Sequence, residues 1–352
     1  MTSLPDNTKN KGRHGWLALV ALAMGSFVLL GYVLWSAHEE IWEDARQTSS
    51  NYAELVEARI DATLRRIDAD LYGIASRIPS ESLLEKYVPR FRAEIELELE
   101  RRRIEFPEIA GFQVADAAGN MLYKAGDGKY ANLEDRDYFI TLRDQQGQQA
   151  VFSGVIRSRV SGKDVMVVAR AIYDAEGTFR GMVSAPLDLE YFDRIFASIQ
   201  LGPNGAIAIR RADNHTLMMR RPFVASEINV PLNPDHPVRA AVANNNIGSL
   251  HFQAQADAIE RIYSYRVLKN HPFYVIAGLA RKDVTAAWRE RAKTVGGIGL
   301  ALFGALAILF YWLFKLQARE VLATERLRQQ QQQLREAQRV ARVGSWVSVI
   351  CW

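Results

Sequence analysis

Two long uncharged apolar runs constrain this chain more than any other feature. Trp16–Trp35 and Val295–Phe314 each contain 20 residues without a charge. A helix of about 20 apolar residues crosses the roughly 30 Å hydrocarbon core of a bilayer. Lys9, Lys11 and Arg13 precede the first run, so the positive-inside rule places the N-terminus in the cytoplasm. The sequence therefore predicts a two-pass protein of the inner (plasma) membrane, with both termini cytoplasmic.

The first run has an alternative interpretation as a cleaved signal peptide. Such a peptide has a shorter apolar region, and small residues mark its cleavage site. The run here is long and ends in LWSAH, which favours an uncleaved anchor. Charges lie on both sides of the second run, so they do not indicate its orientation. Because two spans return a chain to the side on which it began, we expect this run to lead back to the cytoplasm.

These runs set the predicted domain boundaries. Composition is that of a globular protein, with 49% hydrophobic and 24% charged residues. The single cysteine, Cys351, excludes disulfides within one chain. The predicted segments are a cytoplasmic N-terminus at 1–15, a span at 16–35, an extracytoplasmic domain at 37–294, a span at 295–314, a cytoplasmic helix or coiled coil at 315–342, and the start of a further domain at 343–352.

Several function classes find no support in the residues. The net charge of +4 is small, and basic residues are not interleaved with aromatics in dense blocks, so we expect no nucleic-acid partner. The six histidines have no metal-ligand spacing. Neither a nucleophile elbow, a phosphate-binding loop nor a kinase signature occurs. We therefore expect a non-enzymatic chain without catalytic residues, metal or cofactor.

Helical patterns open the extracytoplasmic segment. Residues 81–103 are predicted as a charged helix that Pro89 kinks. Residues 38–78 carry a longer helical pattern that starts at the membrane. Its apolar positions include Leu55, Ala58, Ala62, Leu64 and Ile67.

From about residue 108 the period changes to that of strands joined by glycine-rich turns. Short helices at Asp137–Arg143 and Leu189–Ile199 interrupt and close this first set. A helix at Lys282–Lys293 leads into the second span. Between the helices at Leu189–Ile199 and Lys282–Lys293, a second strand set is predicted at 206–210, 216–219, 249–253, 261–267 and 273–277.

The predicted fold class is α/β in the broad sense, more narrowly α+β, with two PAS-like mixed modules on one long N-terminal helix. The distal module spans about residues 80–200 and the proximal module about 201–280. The doublets Arg210–Arg211 and Arg220–Arg221 are interpreted as solvated faces of the proximal module. Beyond the second span, a four-three spacing of the a and d positions of a heptad indicates a short parallel coiled coil; these positions are Ala323, Leu327, Gln330, Leu334, Ala337 and Ala341. A plain charged helix is the alternative.

A set of ordered motifs resembles the double Cache domain, the PAS-like periplasmic sensor found on bacterial diguanylate cyclases and related signalling proteins. The matching segments run through residues 37–294, from NLEDRDYF through ARAIYDAEGTFRGMVSAPLDL to YSYRVLKNHPFYVIAG. The tail LREAQRVARVGSW resembles the first helix and strand of a cytoplasmic PAS domain. The resemblance implies a homodimeric membrane receptor whose output module would follow.

The resemblance also implies a small-molecule pocket in the distal module, covered by Asp135–Phe139 and backed by strands at 151–157 and 164–171. The positions that match the family's ligand contacts are Arg136, Tyr138, Phe139, Arg157, Arg170 and Asp188. Arg136 matches the arginine that binds a ligand carboxylate in the family, since guanidinium pairs with carboxylate through two hydrogen bonds. Asp188 matches the acid that holds a ligand amine. Val155 and Arg157 stand where amine capture would need a Tyr and an Asp, which favours an organic acid over an amino acid.

Each candidate has a structural alternative. Arg136 and Asp188 could form ion pairs within the protein, Tyr138 and Phe139 could be core residues, and Arg157 and Arg170 could face solvent. The predicted function is a transmembrane receptor for a small carboxylate that signals through a cytoplasmic PAS module, with cyclic-di-GMP output. Alternatives are the sensor of a histidine kinase or chemoreceptor, an amino-acid or amine sensor, and a receptor for a partner protein.

Overall fold

The computed structural model describes residues 8–145 and 147–347. The chain divides into two compact units. One unit is Glu39–Ala286, which contains both predicted sensor modules. The other is formed by the described parts of residues 1–38 and 287–352.

The long N-terminal helix, α1, runs from Thr8 to Arg77. Its buried side chains recur every three or four residues, so they form one apolar face. Leu64 and Ile67 belong to that face, as predicted. Leu55, Ala58 and Ala62 do not, because they lie on a separate stripe that faces solvent. The buried positions are Ala53, Val56, Ile60, Leu64, Ile67, Leu71 and Ile74.

The second predicted helix begins later than the sequence suggested. Two short 3₁₀ helices, Ser80–Leu83 and Glu85–Tyr87, precede α2, which spans Val88–Ile104. Pro89 therefore lies in the first turn and does not kink the helix. Proline is favoured there because first-turn amides have no partner within the helix. Arg102 ties α2 to α1 through Asp70.

The distal module is a five-stranded antiparallel sheet in the order β2-β1-β5-β4-β3. One helix, α3 (Asp137–Gln145), lies between β2 and β3 in sequence, and α4 (Leu189–Ala197) follows β5 directly. Both helices are confirmed near their predicted positions. The strands are β1 (Gln113–Asp116), β2 (Met121–Lys124), β3 (Val151–Arg157), β4 (Asp164–Tyr173) and β5 (Phe179–Asp188).

The proximal module repeats this plan with the strand order β7-β6-β10-β9-β8. All five predicted strands are confirmed to within a few residues. The helix α5 (Pro237–Asn244) was not predicted, although His236 and Pro237 provide a cap and a first-turn proline. The strands are β6 (Ala206–Arg211), β7 (Leu217–Arg221), β8 (Ile247–Gln253), β9 (Glu260–Val267) and β10 (Phe273–Ala280).

One hydrophobic cluster runs along α1 and includes side chains from both sheets, such as Val168 and Val275. A second cluster lies between the distal sheet and α3, and a third lies on the α5 side of the proximal sheet. Each sheet is thus covered on both faces, and α1 joins the two modules through a shared core.

The last helix, α6, spans Arg281–Val347. By length and composition, Arg281–Leu313 is the one stretch of the described residues that could cross a membrane. Met24–Val33 is a shorter apolar stretch within the first predicted span. Phe27 and Phe303 contact each other edge to face, 6.2 Å between ring centroids. The α+β class is confirmed, whereas the two-pass topology stays a prediction. Residues 348–352 of the predicted PAS start lie outside the described residues.

Candidate ligand-binding site

An open groove of about 720 Å³ lies at the end of the distal sheet, where α4 and β7 meet it. Its volume is within the range of small-molecule sites in proteins. Two predicted site residues, Arg157 and Asp188, line it. The other lining residues are Gly162, Lys163, Asp164, Leu189, Glu190, Asp193, Met219, Arg221, Pro222 and Phe223.

The ends of three neighbouring strands place the charged groups of the groove. Arg157 ends β3 directly opposite Asp164, the first residue of β4. Asp188 ends β5 and caps α4, since its Oδ1 accepts a hydrogen bond from the Glu190 amide at 3.0 Å. Adjacent strand ends in an antiparallel sheet therefore bring side chains from distant sequence positions to one edge.

Each cation in the groove already has a carboxylate partner. Lys163 Nζ lies 3.1 Å from Asp188 Oδ2, and this contact raises the pKa of Lys163. Arg221 Nη1 contacts both Asp193 oxygens at 2.8 Å. The Arg157–Asp164 pair is looser, at 3.3 Å, with side chains 71% and 56% exposed. Exposed ion pairs contribute about 0–1 kcal/mol to stability, so a ligand can replace the Arg157–Asp164 pair at little cost in free energy.

Arg136 does not line the groove, but it contacts the backbone of Arg157, which does. Its Nη2 donates to the Arg157 carbonyl at 3.0 Å. Its Nε is buried without a hydrogen-bond partner among the described residues. Two acids that could have paired with Arg136 are engaged elsewhere: Asp135 pairs with Arg159 at 2.6 Å, and Asp188 pairs with Lys163. The hydrogen bond from Arg159 lowers the pKa of Asp135.

Tyr138 and Phe139 are core residues of α3. Both pack in the cluster between α3 and the distal sheet, and Phe139 meets the ring of Phe179 edge to face. Burial raises the pKa of the Tyr138 hydroxyl to about 12. The face beneath α3, where the resemblance implied a pocket, is filled by apolar side chains.

Arg170 lies on the opposite face of the sheet, against α1. Its Nε and Nη2 donate to the two Asp68 oxygens at 2.6 and 2.8 Å. The structure thus brings Arg157 and Asp188 to one groove, with Arg136 behind them, and places Tyr138, Phe139 and Arg170 elsewhere. From the sequence, Arg221 was interpreted only as part of a solvated doublet and Asp193 was not singled out, because residues 28 positions apart give no local signal.

Comparison with known proteins identifies the family. The family model described as the Cache domain matches residues 34–288. The chain belongs to the Cache domain family. Cache domains are extracellular ligand-binding sensors, so this chain carries a sensor module. No curated protein sequence matches it.

Solved Cache structures share the fold at low sequence identity. The extracellular domain of rpHK1S-Z16, described as a histidine kinase, is 22% identical with a TM-score of 0.60, over 70% of this chain and 99% of that one. The ligand-binding domain of the Pseudomonas fluorescens chemoreceptor CtaA, solved with L-isoleucine, is 14% identical with a TM-score of 0.53, over 71% and 98%. That of Campylobacter jejuni Tlp3, solved with L-valine, is 11% identical with a TM-score of 0.50, over 70% and 97%.

The proximal Cache module holds a second, smaller cavity that the sequence did not predict. It measures about 40 Å³, and Arg210, Arg220 and His236 are among its lining residues. The prediction that both arginine doublets are solvated was wrong for Arg210 and Arg220, which are 8% and 5% exposed. Neighbouring residues of a strand point to opposite faces, so one member of each doublet must face the core.

Proposed function

We propose that this chain is the sensing part of a transmembrane signalling protein, and that its Cache domain binds a small carboxylate-bearing molecule in the groove at Arg157. The observation that carries the proposal is that Arg157, Lys163 and Arg221 line one open groove, where each pairs with a carboxylate that a ligand carboxylate could replace. Met219 and Phe223 line the same groove and offer apolar contacts to the rest of the ligand.

Arg157 is the cation we assign to the ligand carboxylate. A guanidinium binds a carboxylate through two parallel hydrogen bonds, which gives geometric specificity as well as binding free energy. Its present pair with Asp164, at 3.3 Å, is longer than the Lys163–Asp188 and Arg221–Asp193 pairs. Because Asp164 is more than half exposed, water can solvate it once a ligand takes its place.

Arg136 supports this assignment as a positioning residue. Its bond to the Arg157 carbonyl fixes the end of β3, from which the Arg157 side chain extends. A direct ligand contact by Arg136, Tyr138, Phe139 or Arg170 stays a prediction. Such a contact would require the apolar face beneath α3 to open, or the Arg170–Asp68 pair to separate.

An α-amino acid is the second candidate ligand. Asp188 and Asp193 line the groove beside the cations, so carboxylate oxygens are available for a ligand ammonium group. The Cache domains of Tlp3 and CtaA were solved with L-valine and L-isoleucine, which supports this candidate at the level of the fold. A zwitterion would engage Arg157 and one of these acids at once.

Signalling would follow from a change in the packing of the sensor. A ligand shifts such an equilibrium only by its differential affinity for the two states. We propose two membrane spans, at 16–35 and 295–314, a homodimer held by the segment 315–342, and a PAS domain that starts at 343–352 and leads to a cyclic-di-GMP output. A histidine kinase or chemoreceptor output is the alternative. The chain itself is a binding module, in keeping with its family.

Thermal unfolding of the whole chain in detergent tests the proposal. The panel would contain dicarboxylates, hydroxy acids, α-amino acids and amines. A ligand at a hundred times its dissociation constant stabilises by about 2.7 kcal/mol. We expect a rise in melting temperature of roughly several degrees with at least one carboxylate, since about 1 kcal/mol shifts a protein of this size by 2–4 °C.

Matched variants locate the binding. Arg157→Ala should abolish the shift, whereas Arg180→Ala, which removes an exposed arginine of the same sheet, should keep it. Stabilisation by amino acids alone, lost in Asp188→Asn, would establish the second candidate. Stabilisation by a carboxylate that survives Arg157→Ala would refute the groove, and no shift across the panel would favour a partner protein as the signal.

A further inference from the structure

The 40 Å³ cavity of the proximal module contains an imbalance of buried charge. Arg210 on β6 and Arg220 on β7 both line it, and Arg261 on β9 is fully buried nearby. Asp257 is the one carboxylate that pairs with any of these three arginines within the described residues. Three buried guanidinium groups are therefore accompanied by one ion-paired acid, the partly buried Asp257.

Asp257 is committed to two of the three. Its oxygens accept hydrogen bonds from Arg261 Nη1 and Nη2 at 2.9 and 2.7 Å, and a further bond from Arg220. Arg261 is satisfied further by the Asn204 carbonyl at 2.6 Å. The positive charge that remains without a counter-charge is thus on the cavity side, at Arg210.

Arg210 has only neutral acceptors. Its Nη1 donates to the carbonyls of His215 at 2.8 Å and Val230 at 3.4 Å. Burial lowers the pKa of Arg210, and the charge of Glu227, which forms no ion pair with it among the described residues, opposes this only in part. A buried charge of this kind is unfavourable unless an opposite charge is supplied.

His236 adds a neutral donor to the same cavity. Its Nδ1 accepts a hydrogen bond from the Val238 amide at 3.3 Å, where it caps α5. A neutral imidazole with Nδ1 as acceptor carries its proton on Nε2. Burial and the charge of Arg210 lower the pKa of His236, which favours this neutral form.

The size and remaining walls of the cavity limit what it can take. A cavity of about 10–15 Å³ in this measure holds one water, so 40 Å³ admits roughly three or four heavy atoms. Ala208, Ala254 and Ile276 form part of the walls and suit a methyl group better than a second charge.

We propose that the proximal module binds a small monocarboxylate of formate or acetate size between Arg210, Arg220 and His236. The Arg210 fork takes the two carboxylate oxygens, and the methyl group of acetate contacts the alanine walls. Dicarboxylates and amino acids are excluded by volume. This site is separate from the groove at Arg157, so the sensor has two binding sites for ligands of different size.

The position of the site in the chain suggests its use. Ile276 belongs to β10, and β10 continues directly into α6 at Arg281. His236 is the N-cap of α5, so a carboxylate bound in the cavity would link the cap of that helix to the sheet. A bound carboxylate would stabilise the proximal module next to the helix that leaves it, and so modulate the response to a ligand in the distal module.

Replacement of chloride by acetate at constant ionic strength tests the proposal on the whole chain in detergent. We expect the melting temperature to rise as acetate replaces chloride, and to respond equally to formate. Succinate should have no such effect in Arg157→Ala, which leaves the proximal site intact and should keep the acetate response. An unchanged melting temperature, or an acetate response lost in Arg157→Ala, would overturn the proposal.

Variants separate binding from a structural role. Arg210→Met should weaken acetate binding by about tenfold or more, because a charged hydrogen-bonded contact is lost. The same variant should be no less stable in chloride, since a buried charge without a counter-charge is removed. Arg211→Met is the matched control, one residue along β6, and should bind acetate normally. Loss of stability in Arg210→Met with unchanged acetate binding would show a structural role and overturn the proposal.

A second variant covers the case in which Arg210→Met does not fold. Ala254→Val keeps every charge and fills part of the cavity, so it should abolish the acetate response by exclusion. Retained acetate binding in Ala254→Val would place the anion elsewhere and overturn the proposal.

Discussion

The side-chain amide of Asn229 makes both hydrogen bonds to the backbone of Val155 that a neighbouring strand would make. Asn229 Oδ1 accepts from the Val155 amide at 3.0 Å, and its Nδ2 donates to the Val155 carbonyl at 2.7 Å. Val155 is on β3, the edge strand of the distal sheet, whereas Asn229 belongs to the proximal module. One side chain therefore closes an open sheet edge and joins the two modules.

Asn229→Asp should weaken this junction with little change in shape. The variant loses the donor and sets a carboxylate against the Val155 carbonyl. We expect a loss of about 1–2 kcal/mol in the free energy of unfolding, typical of a broken hydrogen bond at a partly buried group. Denaturant unfolding measures it, with exposed Asn246→Asp as the control. Equal stability of the two variants would contradict a structural role for Asn229.

The ion pair between Arg170 and Asp68 should stabilise the contact of β4 with α1. The side chains are only 15% and 26% exposed, and both hydrogen bonds are short. We expect Arg170→Met to cost about 1–3 kcal/mol, between the values for exposed and fully buried pairs. A double-mutant cycle with Asp68→Asn isolates the coupling, and exposed Arg143→Met is the control. Additive single effects would contradict a direct interaction.

Truncation of two leucines of α1 should change stability to very different extents. Leu64 is fully buried in the shared core, whereas Leu55 is 58% exposed. Leu64→Ala should cost about 2–5 kcal/mol through lost burial and a residual cavity. Leu55→Ala should change stability by no more than about 0.5 kcal/mol, as surface substitutions usually do. Thermal unfolding of the two variants, measured side by side, checks the assigned face of the helix.

The strands and two of the short helices of this fold, α3 and α4, could be predicted because their signals are local. Period-two alternation and glycine turns placed β6 to β10, and the helical period placed α3 and α4. The face of α1 could not be assigned from its spacing, because Leu55, Ala58 and Ala62 form a second stripe at the same intervals. Only the packing against both sheets distinguishes the two stripes.

The candidate sites were harder to predict than the fold. Arg157 and Asp188 reach one groove because β3 and β5 end at the same edge, but their partner Arg221 comes from the other module. Arg210 was judged as half of a charged doublet, although strand alternation alone places one member of such a pair inward. A buried arginine in a strand has the same sequence signal as an exposed one until its neighbours are known.

Asp257 should make the stability of the sensor depend on pH in the acid range. Burial acts to raise the pKa of Asp257, but hydrogen bonds from Arg261 and Arg220 outweigh burial and lower the pKa from its ordinary 3.8 to about 2. A carboxyl group with a depressed pKa in the folded state contributes stability above its unfolded pKa and loses it as pH falls through the folded value. Stability should therefore decline between about pH 4 and pH 2, and decline less in Asp257→Asn, although that variant is less stable at neutral pH. Chemical denaturation across this pH window measures both slopes, and parallel curves for the two proteins would show that Asp257 does not carry the effect.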